Sequence, residues 1–391
     1  MKNETEFLNS EASDYGINDT YNFDEFFKKE NESDFDSGMK YGFYILSFVV
    51  AIIGNLFIII VILKTKSLRT KFNMYIVNLA AADFLMPTVC MWIHLANSGS
   101  DKWLLGSFLC KIHTFVQVTI VCTSVFTLTT VTLDRFLATV YPSAVWITQK
   151  CQPLAIVIIW ICAFSIAVPW IIYQLYAEFD WIGGHEIVCQ SKFPSEHARR
   201  TYYVAFFIIV FIIPLLLMFT LIVITIIKGD RTPSNVSMEI ENFQEMRRKA
   251  VYMTLTVVIV FCICWTPQQS LLLWDAYRDR FKRQPDIKKL HYITLYMAYT
   301  SSAINPVIYY LYNKCFRHAL YTLLKTRCKG ENSEMSIAPE TVPEEIEMSV
   351  TASTSAATVA DSNTSNDEHQ QRSAMDESCD SESFTTVSLS E

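Results

Sequence analysis

Charged side chains are scarce in this sequence, although both ends of the chain are polar. Asp, Glu, Lys and Arg together make up 18% of the 391 residues, whereas hydrophobic residues make up 51%. This balance is too apolar for an ordinary soluble domain and indicates a membrane protein. The net charge of -7 comes largely from the two ends and gives no support for nucleic-acid binding.

The signatures of several other protein classes are missing. The sequence groups no nucleophile with a base and no set of metal-binding side chains, so we expect neither an enzyme nor a resident cofactor. Residues 1–16 contain no apolar core of the signal-peptide type. The first long apolar segment is therefore expected to act as its own insertion signal.

Seven apolar segments are long enough to cross a bilayer as helices. They occupy approximately residues 41–63, 74–95, 111–133, 153–175, 201–227, 251–273 and 290–311. We therefore predict an all-α membrane protein whose seven-helix bundle lies within residues 39–328, between a polar tail at 1–38 and a disordered tail at 329–391. In residues 313–325, apolar side chains at helical spacing alternate with cations, which predicts an amphipathic helix along the inner leaflet.

Basic residues set the predicted orientation in the plasma membrane. Four of them follow the first segment: Lys64, Lys66, Arg69 and Lys71. The positive-inside rule places that flank in the cytoplasm, so the amino terminus is extracellular and the carboxyl terminus cytoplasmic. Three glycosylation sequons fall in the extracellular tail, at Asn3, Asn18 and Asn31. Cys328 lies among basic residues on the inner side and is a candidate for palmitoylation.

The cysteines predict one disulfide. Of eleven cysteines, only Cys110 and Cys189 fall at predicted extracellular positions. Two cysteines alone in an oxidising compartment are expected to pair. The long loop that carries Cys189 contains Gly183 and Gly184, which predict the turn of a β-hairpin that the disulfide would tether to the third segment.

A few polar side chains interrupt the apolar segments. Asp83 is the one carboxylate or cation deep inside any of them, and it is either a hydrogen-bond node or an ion site. In the third segment, Gln117 and Arg135 lie about 27 Å apart on a single predicted helix, which can link the two membrane faces. Three prolines predict hinges in the last three segments: Pro214, Pro267 and Pro306.

Taken in order, these residues resemble the rhodopsin-like (class A) G-protein-coupled receptors over about residues 40–328. The matching positions are Asn55, residues 79–83, Cys110, Asp134-Arg135-Phe136, Trp160, Pro214, Cys264-Trp265-Thr266-Pro267 and Asn305-Pro306-Val307-Ile308-Tyr309. No single motif is decisive, but seven successive segments carry the set in the family's order.

The resemblance implies roles for these positions. A regulatory sodium ion would bind at Asp83, Ser124, Ser301 and Asn305. Arg135 would pair with Asp134 at rest and meet a heterotrimeric G protein when active. The residues implied in activation are Pro214, Phe261, Trp265, Pro267, Asn305, Pro306 and Tyr309. Receptor kinases and arrestin are implied partners of the carboxyl-terminal tail.

The sequence departs from the family at two positions on the inner side. Ile222 stands where many members have a tyrosine in the fifth helix, and Arg247 replaces the acid that often pairs with the arginine. An ionic lock between the third and sixth helices is therefore not expected, which would raise basal activity.

The residue at position 117 favours a peptide ligand. Receptors for amines carry an Asp there and opsins carry a Lys at the position of Tyr299, whereas Gln117 resembles receptors for neuropeptide Y, orexin and RFamide peptides. A neutral amide can bind the amidated end of a peptide. The candidate ligand-binding residues are Gln117, Trp92, His94, Thr114, Glu178, Tyr203, Phe206, Gln268, Gln269, Asp275, His291 and Tyr299.

Two alternatives stay open on the sequence. A class A receptor could bind a non-peptide small molecule instead. A seven-helix transporter or channel would need several intramembrane charges or broken helices along a path, and Asp83 alone meets that description poorly.

Overall fold

The computed structural model describes residues 34–98, 103–141, 145–181, 184–229, 238–277 and 286–328. The sequons at Asn3, Asn18 and Asn31 and the tail at 329–391 lie outside these ranges. Eight helices and one β-hairpin account for most of the described residues. The helices are α1 (Asp34–Lys64), α2 (Lys71–Leu85, Met86–Met91 and Trp92–Ser98), α3 (Gly106–Val140), α4 (Val145–Ile172), α5 (Glu196–Phe206, Phe207–Ile212 and Ile213–Gly229), α6 (Met238–Tyr277), α7 (Asp286–Tyr312) and α8 (Lys314–Cys328).

The seven-helix architecture predicted from the sequence is confirmed. Six stretches of these helices are long and apolar enough to cross a membrane: Tyr41–Lys64, Lys71–Asn97, Gly106–Val140, Lys150–Ile172, Glu196–Gly229 and Arg247–Tyr277. The seventh, α7, packs against α1 and α6. Helix α3 contacts α2, α4, α5 and α6 and so runs through the centre of the bundle.

Two helices extend beyond the apolar segments predicted for them. Helix α1 begins at Asp34, inside the stretch assigned to the polar tail, and α6 begins at Met238. In the polar start of α6, Lys249 Nζ lies 2.6 Å from Glu245 Oε1 one helical turn away. Such pairs support a helix outside the membrane. The hydrophobic pattern of the sequence predicts the length of a membrane-spanning segment, but it does not predict these polar extensions of the helices.

Two spanning helices contain a π-helical turn that the sequence analysis did not predict. One covers Met86–Met91 in α2, and the other covers Phe207–Ile212 in α5. Each lies close to a proline, Pro87 or Pro214, whose missing N–H leaves a carbonyl without its helical donor. Thr88 Oγ1 donates to the Phe84 carbonyl at 2.8 Å beside Pro87. A proline inside an apolar segment is the sequence feature that could have predicted the π-helical turn in α2, and Pro87 is that proline.

The loop before α5 is a β-hairpin, as predicted. Strand β1 (Gln174–Trp181) pairs antiparallel with β2 (Gly184–Ser191), and Trp181 lies opposite Gly184. The predicted disulfide between Cys110 and Cys189 is present, with Cα atoms 5.7 Å apart, and it fixes β2 to the first turns of α3.

The outer ends of α5 and α6 are joined by arginines. Arg199 is buried at 2% exposure and donates to Glu196 Oε2 at 2.7 Å and to the carbonyl of Ala276 at 3.1 Å. Arg200 Nε donates to the same carbonyl at 3.2 Å. Cations at the carboxyl end of a helix interact favourably with its dipole. The outer end of α6 is therefore anchored to α5.

Helix α1 lies close against α7 where Gly54 faces Pro306. A Cβ atom added at Gly54 would lie 2.7 Å from Cβ and Cγ of Pro306. The adjacent Asn55 Nδ2 donates to the Ser302 carbonyl at 2.9 Å. That carbonyl is the one that a residue other than proline at position 306 would satisfy through its own N–H. The side chain of Asn55 thus repairs the helix that Pro306 interrupts.

We expect Gly54→Ala to destabilise the receptor, because the new methyl group overlaps the ring of Pro306. Overpacking of this kind typically costs about 1–3 kcal/mol. Gly42→Ala is the matched control, since a Cβ at Gly42 meets no atom within 4 Å and lies on the same helix. The melting temperatures of both purified variants are measured by thermal unfolding and compared with that of the wild type. Equal melting temperatures for the two variants would show that α1 and α7 are not in this contact.

Candidate functional site

A cavity of about 50 Å³ opens between α3, α5 and α6 on the outer side of the bundle. Its lining combines three glutamines with aromatic and aliphatic walls: Gln117, Val118, Val121, Trp170, Tyr203, Phe206, Phe207, Trp265, Gln268, Gln269, Leu272 and Leu273. Five of the candidate ligand-binding residues lie here, namely Gln117, Tyr203, Phe206, Gln268 and Gln269. The volume accommodates only a few water molecules. A larger ligand must therefore displace the walls.

One glutamine of the cavity is oriented by α7. Thr294 Oγ1 donates to Gln268 Oε1 at 2.6 Å, and both residues are buried. With its oxygen engaged in this way, Gln268 has its amide N–H groups available as donors. The sequence analysis missed Thr294. A threonine one turn after His291 in an apolar segment was the signal that could have found it.

His94 and Tyr299 lie in a separate aromatic cluster of α1, α2 and α7. Tyr44 OH is 2.7 Å from His94 Nδ1, and the His94 ring stacks on Tyr292 with centroids 5.1 Å apart. Tyr299 contacts His94 edge-on at 6.0 Å, and its buried hydroxyl has no hydrogen-bond partner among the residues that the structure describes. The structure thus divides the predicted ligand residues between a cavity and a packed cluster.

The other predicted ligand residues are more dispersed. Glu178 on β1 is exposed and accepts a hydrogen bond from Tyr176 OH, which raises the pKa of that tyrosine. Trp92 has 38% of its surface exposed. The main-chain carbonyls of Asp275 and His291 accept from Arg199 and Thr294 respectively. Thr114 is half-buried on α3.

Beneath the cavity, Trp265 connects α6 with α7. Its ring stacks on Phe261 with centroids 5.8 Å apart, and its Nε1 donates to Ser301 Oγ at 3.1 Å. The resemblance implied Ser301 as a ligand of a sodium ion at Asp83. The structure instead places Ser302 on that carboxylate. Neighbouring residues of a helix point about 100° apart, so a shift of one position changes the face that a side chain occupies.

Asp83 is the centre of a buried polar node. Ser302 Oγ donates to its Oδ1 at 2.9 Å, and Asn305 Nδ2 donates to its Oδ2 at 2.6 Å. Both partners are neutral, so neither cancels the charge of an ionised carboxylate. Ser124 of α3 is also buried. A carboxylate with hydroxyl and amide oxygens around it has the donor chemistry of a site for a hard cation.

At the inner end of α3, Asp134 and Arg135 form the predicted pair. Arg135 Nη2 lies 2.6 Å from Asp134 Oδ2. The guanidinium carbon also lies 3.8 Å from the centroid of the Phe72 ring on α2, a contact that the sequence analysis did not predict. Tyr309 of α7 is buried at 5% exposure. The prolines expected as hinges lie inside the fifth, sixth and seventh helices: Pro214, Pro267 and Pro306.

An outer cavity above a tryptophan, a buried carboxylate at mid-depth and an arginine at the inner end of a central helix define a seven-helix membrane receptor. Residues 54–309 match the family described as "7 transmembrane receptor (rhodopsin family)". The chain therefore belongs to this family, the class A G-protein-coupled receptors. It is a multi-pass membrane protein and not an enzyme, and the transporter alternative is set aside.

Several curated receptors are similar to the chain over most of their length. The QRFP-like peptide receptor of Branchiostoma floridae is 29% identical over 314 residues, covering 78% of this chain and 82% of the relative. The G-protein coupled receptor 54 of Oreochromis niloticus is 28% identical over 313 residues, covering 78% and 83%. The Neuropeptide FF receptor 2 of Mus musculus is 30% identical over 295 residues, covering 70% of each.

Proposed function

We propose that this protein is a plasma-membrane receptor for an extracellular, amidated neuropeptide. Ligand binding drives the inner end of α6 outward and activates a heterotrimeric G protein. The observation that carries the proposal is the outer cavity, in which Gln117, Gln268 and Gln269 face aromatic walls above Trp265. The amino terminus is extracellular in this arrangement and the carboxyl terminus cytoplasmic.

The chemistry of the cavity suits the amidated end of a peptide. Glutamine side chains offer both donors and acceptors without charge, which matches a terminal carboxamide better than a carboxylate. Thr294 leaves the amide N–H groups of Gln268 to meet a ligand carbonyl. Tyr203, Phe206 and Trp170 supply surfaces for an aromatic side chain. The printed names of two relatives, a QRFP-like peptide receptor and a neuropeptide FF receptor, support a peptide.

The path from ligand to G protein follows from the contacts of Trp265. This residue lines the cavity and stacks on Phe261, one turn nearer the inner end of α6. A ligand that enlarges the cavity changes the position of Trp265, and α6 can swing at Pro267. Because the outer end of α6 is anchored by Arg199, the inner end moves furthest. The ligand shifts this equilibrium only through its preference for the enlarged state.

The first test is a screen of cells that express the receptor against synthetic neuropeptides, each in amidated and free-acid form. We expect G-protein activation by an amidated peptide and a much weaker response to its free acid. A response to an amine or another small molecule in place of all peptides would overturn the proposed ligand class.

We expect substitutions at the two ends of α3 to fail in different ways. Gln117→Ala removes a ligand hydrogen bond, and a buried partner left unpaired costs about 1–3 kcal/mol. Peptide potency should fall roughly tenfold or more, since about 1.4 kcal/mol is tenfold. The maximal response should survive. Arg135→Ala should preserve peptide binding and abolish signalling.

Binding and G-protein activation are measured separately for both variants at matched surface expression. Thr119→Ala is a control for Gln117, because Thr119 lies on the same helix, does not line the cavity, and donates its hydroxyl to the Phe115 carbonyl of α3 itself. Unchanged potency in Gln117→Ala would mean that the peptide does not reach α3. Full signalling by Arg135→Ala would remove the proposed G-protein contact.

We also propose that Asp83 binds a regulatory sodium ion with Asn305, Ser302 and Ser124, which favours the resting state. A buried carboxylate whose hydrogen-bond partners are neutral needs a counter-ion or a proton. We expect sodium chloride to raise the melting temperature of the ligand-free receptor relative to choline chloride, because a bound ion stabilises the folded state. Asp83→Asn should abolish the difference, and Asp275→Asn should retain it. Equal melting curves in both salts would leave Asp83 a hydrogen-bond node.

The carboxyl-terminal tail is proposed as the site of receptor kinases and arrestin. Residues 351–355 and 378–390 combine hydroxyl and acidic side chains, and phosphates would add dense negative charge. We expect truncation after Lys329 to slow agonist-driven internalisation and to leave G-protein activation intact. Fluorescence of a surface label follows internalisation. A truncated receptor that internalises like the full chain would contradict this role.

A further inference from the structure

Arg135 is held by two contacts that differ in what they join. Its Nη2 meets Asp134 Oδ2 at 2.6 Å, but Asp134 is its immediate neighbour on α3. The Phe72 ring, 3.8 Å from the guanidinium carbon, belongs to α2. Of these two contacts, therefore, only the one with Phe72 ties Arg135 to another helix.

The guanidinium of Arg135 lies within the range of a cation–π contact with the Phe72 ring on α2. Cation–π pairs form within about 6 Å of a ring centroid, and arginine stacks well on aromatic faces. Nε of Arg135 is buried and has no hydrogen-bond partner in the part of the chain that the structure describes. The side chain of Arg135 is 21% exposed, so the contact is partly shielded from water.

Helix α6 contributes a repulsive interaction with Arg135, in contrast to the attractive contact with Phe72. Arg247, at its inner end, carries the same charge as Arg135, and the two cations repel each other. Many rhodopsin-like receptors have an acid at this position of α6. Here the position carries a cation, which repels Arg135 where an acid would bind it. Arg247 therefore does not form with Arg135 the ion pair that an acid at this position would form.

We propose that Phe72 is a positioning residue that holds Arg135 against α2 in the resting receptor. Activation then releases the guanidinium from the ring, so that it becomes available to the G protein. This inference rests on the proposed role of Arg135 in G-protein contact. It transfers the resting restraint from α6, where Arg247 cannot supply it, to the inner end of α2.

The test measures nucleotide exchange without ligand, in membranes with matched receptor density and purified G-protein heterotrimers added one at a time. Phe72→Leu keeps an apolar side chain and removes the aromatic face. We expect its basal exchange to rise roughly two- to fivefold, the factor that corresponds to a cation–π contact at a partly exposed site. Phe72→Tyr keeps the face and should match the wild type. Phe84→Leu, on the same helix, is the control for lost volume.

Arg247→Glu provides a second measurement that does not depend on Phe72. An acid at this position can bind Arg135, so basal exchange should fall below that of the wild type. Combined with Phe72→Leu, it should bring the raised basal exchange back down. Basal exchange in Phe72→Leu equal to that in Phe84→Leu would overturn the inference, as would an equal rise in Phe72→Tyr. Signalling by Arg135→Ala would overturn the proposed function itself, and this inference with it.

Discussion

The structure depends on one backbone carbonyl, that of Ser302. Pro306 has no N–H to donate to it, and in an apolar bundle no bulk water can take the place of a missing donor. Asn55 of α1 supplies the donor at 2.9 Å, and Gly54 permits the approach because it has no side chain. The first helix thus supplies to the seventh the donor that Pro306 lacks.

The same junction places the polar node at mid-depth. Once α7 is fixed on α1, Ser302 and Asn305 reach Asp83 on α2. Ser301, the next residue, meets the indole N–H of Trp265 on α6. Two adjacent serines therefore connect the buried carboxylate to the floor of the outer cavity. Trp265 and Asp83 are thus both hydrogen-bonded to the same turn of α7.

The two sides of the bundle are restrained by different kinds of contact. On the outer side a disulfide fixes the hairpin to α3, and buried Arg199 binds the carboxyl end of α6. On the inner side, the contacts of Arg135 are with its own neighbour and with the ring of Phe72, while Arg247 on α6 opposes it. Towards the inner side, α6 is also joined to α7, since Thr256 Oγ1 lies 2.9 Å from Tyr312 OH.

Sequence alone determined the class of the protein, because span length, charge placement and the order of Asp83, Arg135, Trp265 and Pro306 are properties of the chain itself. It also determined the disulfide, since only two cysteines were extracellular. The tertiary structure decided which of two neighbouring residues makes a given contact. A rotation of about 100° per residue separates Ser301 from Ser302, and nothing in the sequence says which one faces the carboxylate. The stacking of Phe72 on Arg135 and the bond from Thr294 to Gln268 join residues far apart in the chain, so only the packed helices reveal them.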